Sequence, residues 1–353
     1  MSELLLIWTV SIALAAVALA WMAGLIVARM LRERAERRRQ RGRPLTQQPL
    51  LDTRAGPGAP AGRLGGVRRR ARLMAEALLE VIALVRGAER DRLISSLHAF
   101  RVDEVFQRRL LRGSVAGRMA AAEALSIFPG AAAVAALREA LARARPADLR
   151  VGLIRSLIDL SAPPDLDEVL ADLVGRRASD SLLYLPVIGR LVSDDPGAGL
   201  RAFGDARLSG DARVILAEAL GAGGDYRALQ PLCLASRAPD MELRIAAVRG
   251  LAALGHPAAE SAILSALSDG VWMVRSAACE AAGRIGLPAA VPALVDQLED
   301  PVWWVRFRAG EALAAWGETG PERLRRLAAS GGDLSRRAAS MALAERGLTA
   351  EPA

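Results

Sequence analysis

An arginine recurs every 31 residues from Arg213 onward, at Arg244, Arg275, Arg306 and Arg337, and each opens an alanine-rich stretch of helical composition. A period of that length is one supersecondary unit, which cannot bury its apolar face alone and has to stack on its neighbours. The chain is therefore constrained to a linear array of like units. At 353 residues it escapes the size limit on single cores, because such an array grows in one dimension.

Two units align best: Asp269-Gly-Val-Trp-Met-Val-Arg275 and Asp300-Pro-Val-Trp-Trp-Val-Arg306, each followed by an alanine-rich helix ending near glycine. The Asp is expected to cap the helix by accepting backbone N–H bonds, with Pro301 placed where its missing donor costs nothing. Gly286 and Gly317 close the helices. Seven residues past the arginine stand Leu220, Leu251 and Leu313, with Ala282 the exception, and small residues fill the other inward positions. The preceding helix of each unit carries Leu232, Ile263 and Leu294 at the same period, and Pro257, Pro288 and Pro321 are expected to begin these first helices.

Upstream, Arg118 with Leu125 and Arg150 with Leu157 fit the template at a spacing of 32, and Leu182 stands where the next arginine belongs. About eight helix pairs are expected from Val102 to Gly347, preceded by one or two less regular capping helices near residues 73–99. Aromatics make up 4% of the chain and β-branched runs are scarce, so the fold class is all-α, an α-solenoid of helix pairs.

The net charge of +8 is unevenly distributed. Residues 1–72 carry 14 Arg against 4 acidic residues, a balance of +10, whereas the rest has 33 against 35, or −2. No Lys occurs anywhere. Phosphate contact requires a positive stripe, so the near-neutral helical body argues against nucleic acid as a partner.

From Leu4 to Ala28 no residue is charged, a stretch that as helix spans roughly 37 Å and would cross a bilayer once. Glu3 precedes it, and eight arginines from Arg29 to Arg43 follow it, the reverse of a secretory signal. This pattern predicts an uncleaved anchor with the N-terminus outside and the repeat domain in the cytoplasm of a bacterial cell. Trp8 and Trp21 are candidates for the membrane interface, and Ala16, Ala20 and Gly24 form a small-residue stripe that permits close helix approach. Residues 32–72 combine Arg clusters with Pro and Gly and read as a disordered tether. Attraction to anionic lipid headgroups, about 1 kcal/mol per residue, and plain topology determination or solvation remain open readings of those arginines. The expected organisation is an anchor over 1–31, a linker over 32–72, capping helices over 73–101, repeats over 102–347 and a tail over 348–353.

No pair of residues looks catalytic, and no cofactor or metal is expected. Cys233 and Cys279 fall in different repeats without a CxxC or Cys/His cluster, and read as buried free thiols. Of the two histidines, His98 lies in an early helix and His256 in a Gly-His-Pro turn. The sequence GAGGD at 221–225 follows a helix rather than a strand and reads as a helix stop.

Pro288-Ala-Ala-Val-Pro-Ala-Leu294 together with Asp300 to Leu313 resembles HEAT repeats of the phycobilisome-lyase-like class, closely over 210–347 and loosely over 100–209. The resemblance implies a right-handed superhelix whose second helices line a concave binding face. It also implies that the repeated arginines pair with Asp269 and Asp300, and that Trp272 and Trp303 act as stacking residues. Trp304 has no counterpart in other units; with Trp303 and Phe307 it forms the richest aromatic concentration of the body, of the kind where binding hot spots occur. Trp272, Trp303, Trp304, Phe307, Arg275 and Arg306 are thus the candidate partner-binding residues. The expected function is a membrane-anchored, non-catalytic scaffold that binds a protein partner. Family context points to a membrane enzyme such as a polysaccharide-synthesising glycosyltransferase. A bilin-lyase-type enzyme and a nucleic-acid-binding solenoid are the alternatives.

Overall fold

In a computed structural model the described residues are 87, 94–95, 102–174, 176 and 178–348. The proposed anchor, with Trp8, Ala16, Ala20, Trp21 and Gly24, lies outside them, as do the Arg-rich linker, His98 and the tail from 349 onward. No helix among the described residues is long and apolar enough to cross a membrane.

The chain divides into two compact units, residues 1–133 and 134–353. In the first, α1 (Val102–Arg112) and α2 (Val115–Leu125) form an antiparallel pair. Ser114 caps α2 by accepting the Gly117 N–H, and the Arg118 side chain donates to the Leu110 carbonyl at 2.8 Å, tying the two helices together. Phe106 and Phe128 pack ring against ring at 6.3 Å beneath the pair.

The second unit contains α3 (Ala131–Arg143, from Val134 on), α4 (Ala147–Asp159), α5 (Leu166–Val174), α6 (Ala178–Asp194), α7 (Pro196–Gly204), α8 (Gly210–Ala222), α9 (Leu229–Ala235), α10 (Met241–Leu254), α11 (Glu260–Leu267), α12 (Trp272–Ile285), α13 (Val291–Asp296), α14 (Trp303–Ala314), α15 (Thr319–Ser330) and α16 (Asp333–Glu345). Among the described residues between Val102 and Glu345 that makes sixteen α-helices, enough for the eight pairs the period requires, and no strand. The second helices α6, α8, α10, α12, α14 and α16 pack successively on one another, and from α5 onward each first helix packs on its own second helix.

Local chemistry sets the boundaries. Asp269 and Asp300 do accept backbone N–H bonds, from Val271 and Val302 at 2.8 Å, but they close a turn just before the helix instead of capping its first residue. Gly255 and Gly286 end α10 and α12 in the left-handed region at φ 66° and 77°. A side chain is strained there, which is why these two positions are glycine. Pro257 and Pro288 open 3-10 turns, Pro257–Ala259 and Pro288–Ala290, that run directly into α11 and α13, while Pro321 is the third residue of α15.

The two apolar ladders are the core. Leu220, Leu251, Ala282 and Leu313 on second helices, and Leu232, Ile263 and Leu294 on first helices, are all buried, as are Leu125 and Leu157 upstream. Small residues allow the second helices to touch backbone to backbone. A Cβ on Gly221 would lie 2.3 Å from the Gly250 Cα, and one on Gly283 would lie 2.8 Å from the Ala312 Cα. The GAGGD stretch is a helix stop: α8 ends at Ala222, and Gly224 turns the chain at φ 74°.

Candidate partner-binding surface

At the start of α14, Trp303, Trp304 and Phe307 form one aromatic cluster. The Trp303 ring stacks on Phe307 at 5.1 Å and 18°, while Trp304 meets both rings edge-on, at 4.6 Å from Trp303 and 6.0 Å from Phe307. Residues three and four apart share a helix face, so Trp303, Arg306 and Phe307 are neighbours by construction. Trp303 is 44% and Trp304 51% exposed. The side chain of Arg308 lies over the Phe307 ring at 5.8 Å.

Trp272, one period before Trp303, is 37% exposed. Trp272 and Trp303 are each the first residue of their helix and are partly exposed, and Trp303 stacks on Phe307 of its own helix. The same register carries Met241, half-buried, and Leu334, exposed, so large apolar residues mark one edge of four successive units.

The arginines behave in two ways. Arg275 donates from Nε and Nη2 to both carboxylate oxygens of Asp300, at 2.7 and 3.2 Å, and Arg244 does the same to Asp269 at 2.9 and 3.1 Å. Each pairs with the Asp of the following unit, and each pair is largely shielded from solvent. Burial pulls the Asp269 carboxyl upward, but the hydrogen bond from Arg244, the Val271 N–H and the Arg244 charge outweigh it and hold its pKa below the usual carboxylate value. Arg275 is therefore engaged within the stack, by Asp300. Among the described residues Arg306 and Arg213 meet no carboxylate and donate only to backbone carbonyls, and Arg337 is exposed and in no ion pair.

Sequence reasoning missed a further ion pair. Asp172 accepts from Arg150 Nε at 2.6 Å, from Arg176 Nη2 at 2.9 Å and from the Tyr184 hydroxyl. Burial raises the Tyr184 hydroxyl pKa well above its ordinary value, and the Asp172 hydrogen bond adds to this. Asp172 itself is drawn upward by burial but lowered overall by the hydrogen bonds from Arg176, Tyr184 and Arg150. Leu182, which occupies the expected arginine position, is solvent-exposed. The signal was hidden because Arg150 and Asp172 are 22 residues apart, off the 25-residue spacing of the regular pairs.

A groove of about 630 Å³ runs across α6, α8, α10 and α12. Its floor is made of small residues such as Ala219, Ala222, Ala253 and Ala277, and Glu218, Arg249, Glu280 and Arg284 stand along it. Glu218 and Arg249 pair across it at 3.5 Å, and Glu280 meets Arg308 at 3.7 Å. Glu218, Arg249 and Glu280 follow the 31-residue period, a signal readable in the sequence.

The two cysteines and His256 are absorbed into the fold. Burial pushes the Cys279 thiol up to about 12 and raises the partly buried Cys233. A thiol so shifted is a poor nucleophile. His256 accepts the Ala258 N–H on Nδ1 at 3.1 Å and is met edge-on by Tyr226.

Residues 229–314, from α9 to α14, match the family of HEAT repeats. No curated protein matches the chain. Among solved structures the chain is similar to Kap121p, at 15% identity over 85% of this chain and 37% of that chain, TM-score 0.46. It is similar also to Kap121p bound to Pho4p, at 15% identity over the same shares, TM-score 0.47. An engineered protein is similar at 18% identity over 78% of this chain and 85% of that one, TM-score 0.37. The chain spans 37% of the length of Kap121p, and no functional statement follows from likeness at this level.

Proposed function

We propose that the protein is a non-catalytic scaffold that binds a protein partner on the edge marked by Trp303, Trp304 and Phe307, and that residues 4–28 hold it on the inner face of a bacterial cytoplasmic membrane. The observation that carries the reading is the exposure of two adjacent tryptophans beside a phenylalanine in one cluster. Tryptophan is among the residues most enriched at binding hot spots, and water-exposed aromatic surface of this kind stabilises a complex when covered. Anchoring raises the local concentration of the repeats near membrane partners, to roughly millimolar for a short flexible tether. The phycobilisome-lyase-like subclass and a membrane enzyme as partner belong to the same proposal. They rest on the repeat motif and the apolar N-terminal segment respectively.

A photoreactive amino acid at Leu334, one unit beyond Trp303, tests the reading in native membranes. One reproducible crosslinked protein, lost with Trp303→Ala/Trp304→Ala and retained with Arg207→Ala, is the expected result. Crosslinks indifferent to the tryptophans would overturn it. Release of the protein into the soluble fraction on deleting 4–28 is expected for the anchor, and its absence would remove that part of the proposal.

A further inference from the structure

We infer that Arg306 receives an aspartate or glutamate side chain from a protein partner, whose adjoining apolar residue rests on Trp303 and Trp304. The inference depends on the protein-binding reading above and names the chemistry of what binds.

The protein's own repeats show how such an arginine is satisfied. Arg275 is oriented by Nη1, which donates to the carbonyls of Asp269 and Gly270 at 2.8 and 3.3 Å, and this aims Nε and Nη2 at Asp300. Arg244 is held the same way, by Ala238 and Pro239, and aims at Asp269. Arg306 repeats the first half: Nη1 donates to the carbonyls of Asp300 and Pro301 at 2.7 and 3.1 Å. The second half is missing. Twenty-five residues beyond Arg244 and Arg275 stand Asp269 and Asp300, but 25 residues beyond Arg306 stands Gly331.

The nearby carboxylates are engaged elsewhere. Asp300 pairs with Arg275, Glu299 accepts the Ser335 N–H, and Asp333 pairs with Arg336. The Nε and Nη2 of Arg306 are not among the buried atoms that lack a partner, so solvent reaches them. Arg213 also lacks an Asp, but its Nε is buried and closed to any partner. Arg337 is exposed. Among the described repeats, Arg306 alone combines a fixed guanidinium, an accessible donor edge and an aromatic cluster one helical turn away. A planar carboxylate matches two parallel N–H donors, and the fold places one there twice. Phosphate recognition recruits clustered arginines, whereas the adjacent Arg308 is taken by Glu280 and Glu311.

The experiment pans a random 12-residue peptide display library on the full-length chain, then measures a synthetic enriched peptide by fluorescence anisotropy. Enriched peptides are expected to hold Asp or Glu next to an aromatic or leucine residue. Affinity should fall at least tenfold with Arg306→Gln and equally with the acid changed to its amide. The two changes together should cost little more than either alone. Arg306→Lys, which keeps the charge but not the two-donor edge, should lose affinity as well, and supplies the reading if Arg306→Gln fails to fold. Peptides lost with Trp303→Ala/Trp304→Ala but indifferent to Arg306 would overturn this inference and leave the protein-binding reading standing. Binding indifferent to both would overturn both. Arg306-dependent quenching of tryptophan fluorescence by phosphatidylserine vesicles, with no acidic peptide enriched, would assign the site to a lipid headgroup and overturn the inference.

Discussion

Asp300 does two things at once: it accepts the Val302 N–H ahead of α14 and takes both donors of Arg275. Removing one partner of a shielded ion pair leaves the other charged and unpaired, which costs about 3 kcal/mol or more. Asp300→Ala should therefore lower the denaturant midpoint far more than Asp211→Ala, an exposed acid at the start of α8. Asp172 and Asp269 both have folded pKa values below their unfolded ones. A depressed carboxylate contributes stability that is present above the unfolded pKa of about 3.9 and lost as pH falls through the folded value. Melting temperature should then show no contribution from these groups to its slope between pH 5 and 7 and decline below about pH 4, with a shallower decline in Asp269→Asn. Ser161 sits at φ 56° behind α4, in the left-handed region. Relieving the side-chain penalty there outweighs the added chain entropy, so Ser161→Gly should stabilise by roughly 0.5–1 kcal/mol in urea titration. The direction of the arginine pairs was not legible in the sequence, because a period that repeats Asp and Arg together cannot say whether Arg275 reaches back to Asp269 or forward to Asp300. The exposure of Trp303 was hidden for a related reason: periodicity assigns a face, but not how far the neighbouring helix extends along it.

Helix against helix, the small-residue contacts decide the spacing. A methyl group on Gly221 has nowhere to go, since backbone of α10 stands 2.3 Å from where it would sit; nothing lies within 4 Å of the same group on Gly189 in α6. Overpacking costs about 1–3 kcal/mol, while replacing glycine by alanine inside an open helix gains up to about 1 kcal/mol. The same substitution should thus act in opposite directions, Gly221→Ala lowering and Gly189→Ala raising the thermal midpoint. At this scale the sequence was most informative. Leucine and alanine at fixed offsets from each arginine determine which stripe is buried, and α8 to α14 follow them. It was least informative around α5 and α6, where Arg176 and Tyr184 converge on Asp172 outside the regular spacing and no periodic pattern points to them.

Across the second unit, stability passes from neighbour to neighbour with no central core to share it. Leu251 lies fully buried in α10 with units on both sides, and Leu343 lies in α16 at the last pair described. Either truncation to alanine removes about 2–5 kcal/mol locally. Leu251→Ala should reduce amide hydrogen-exchange protection across α8 to α12, whereas the loss with Leu343→Ala should be confined to α15 and α16. The stacking also fixes a ruler for anything that lies along the edge holding Met241, Trp272, Trp303 and Leu334. Packed helices stand about 8–10 Å apart, and a peptide in the polyproline II conformation advances about 3.1 Å per residue and returns to the same face every third residue. Successive rungs are therefore met by every third residue of a partner, so its anchoring side chains must themselves follow a three-residue beat.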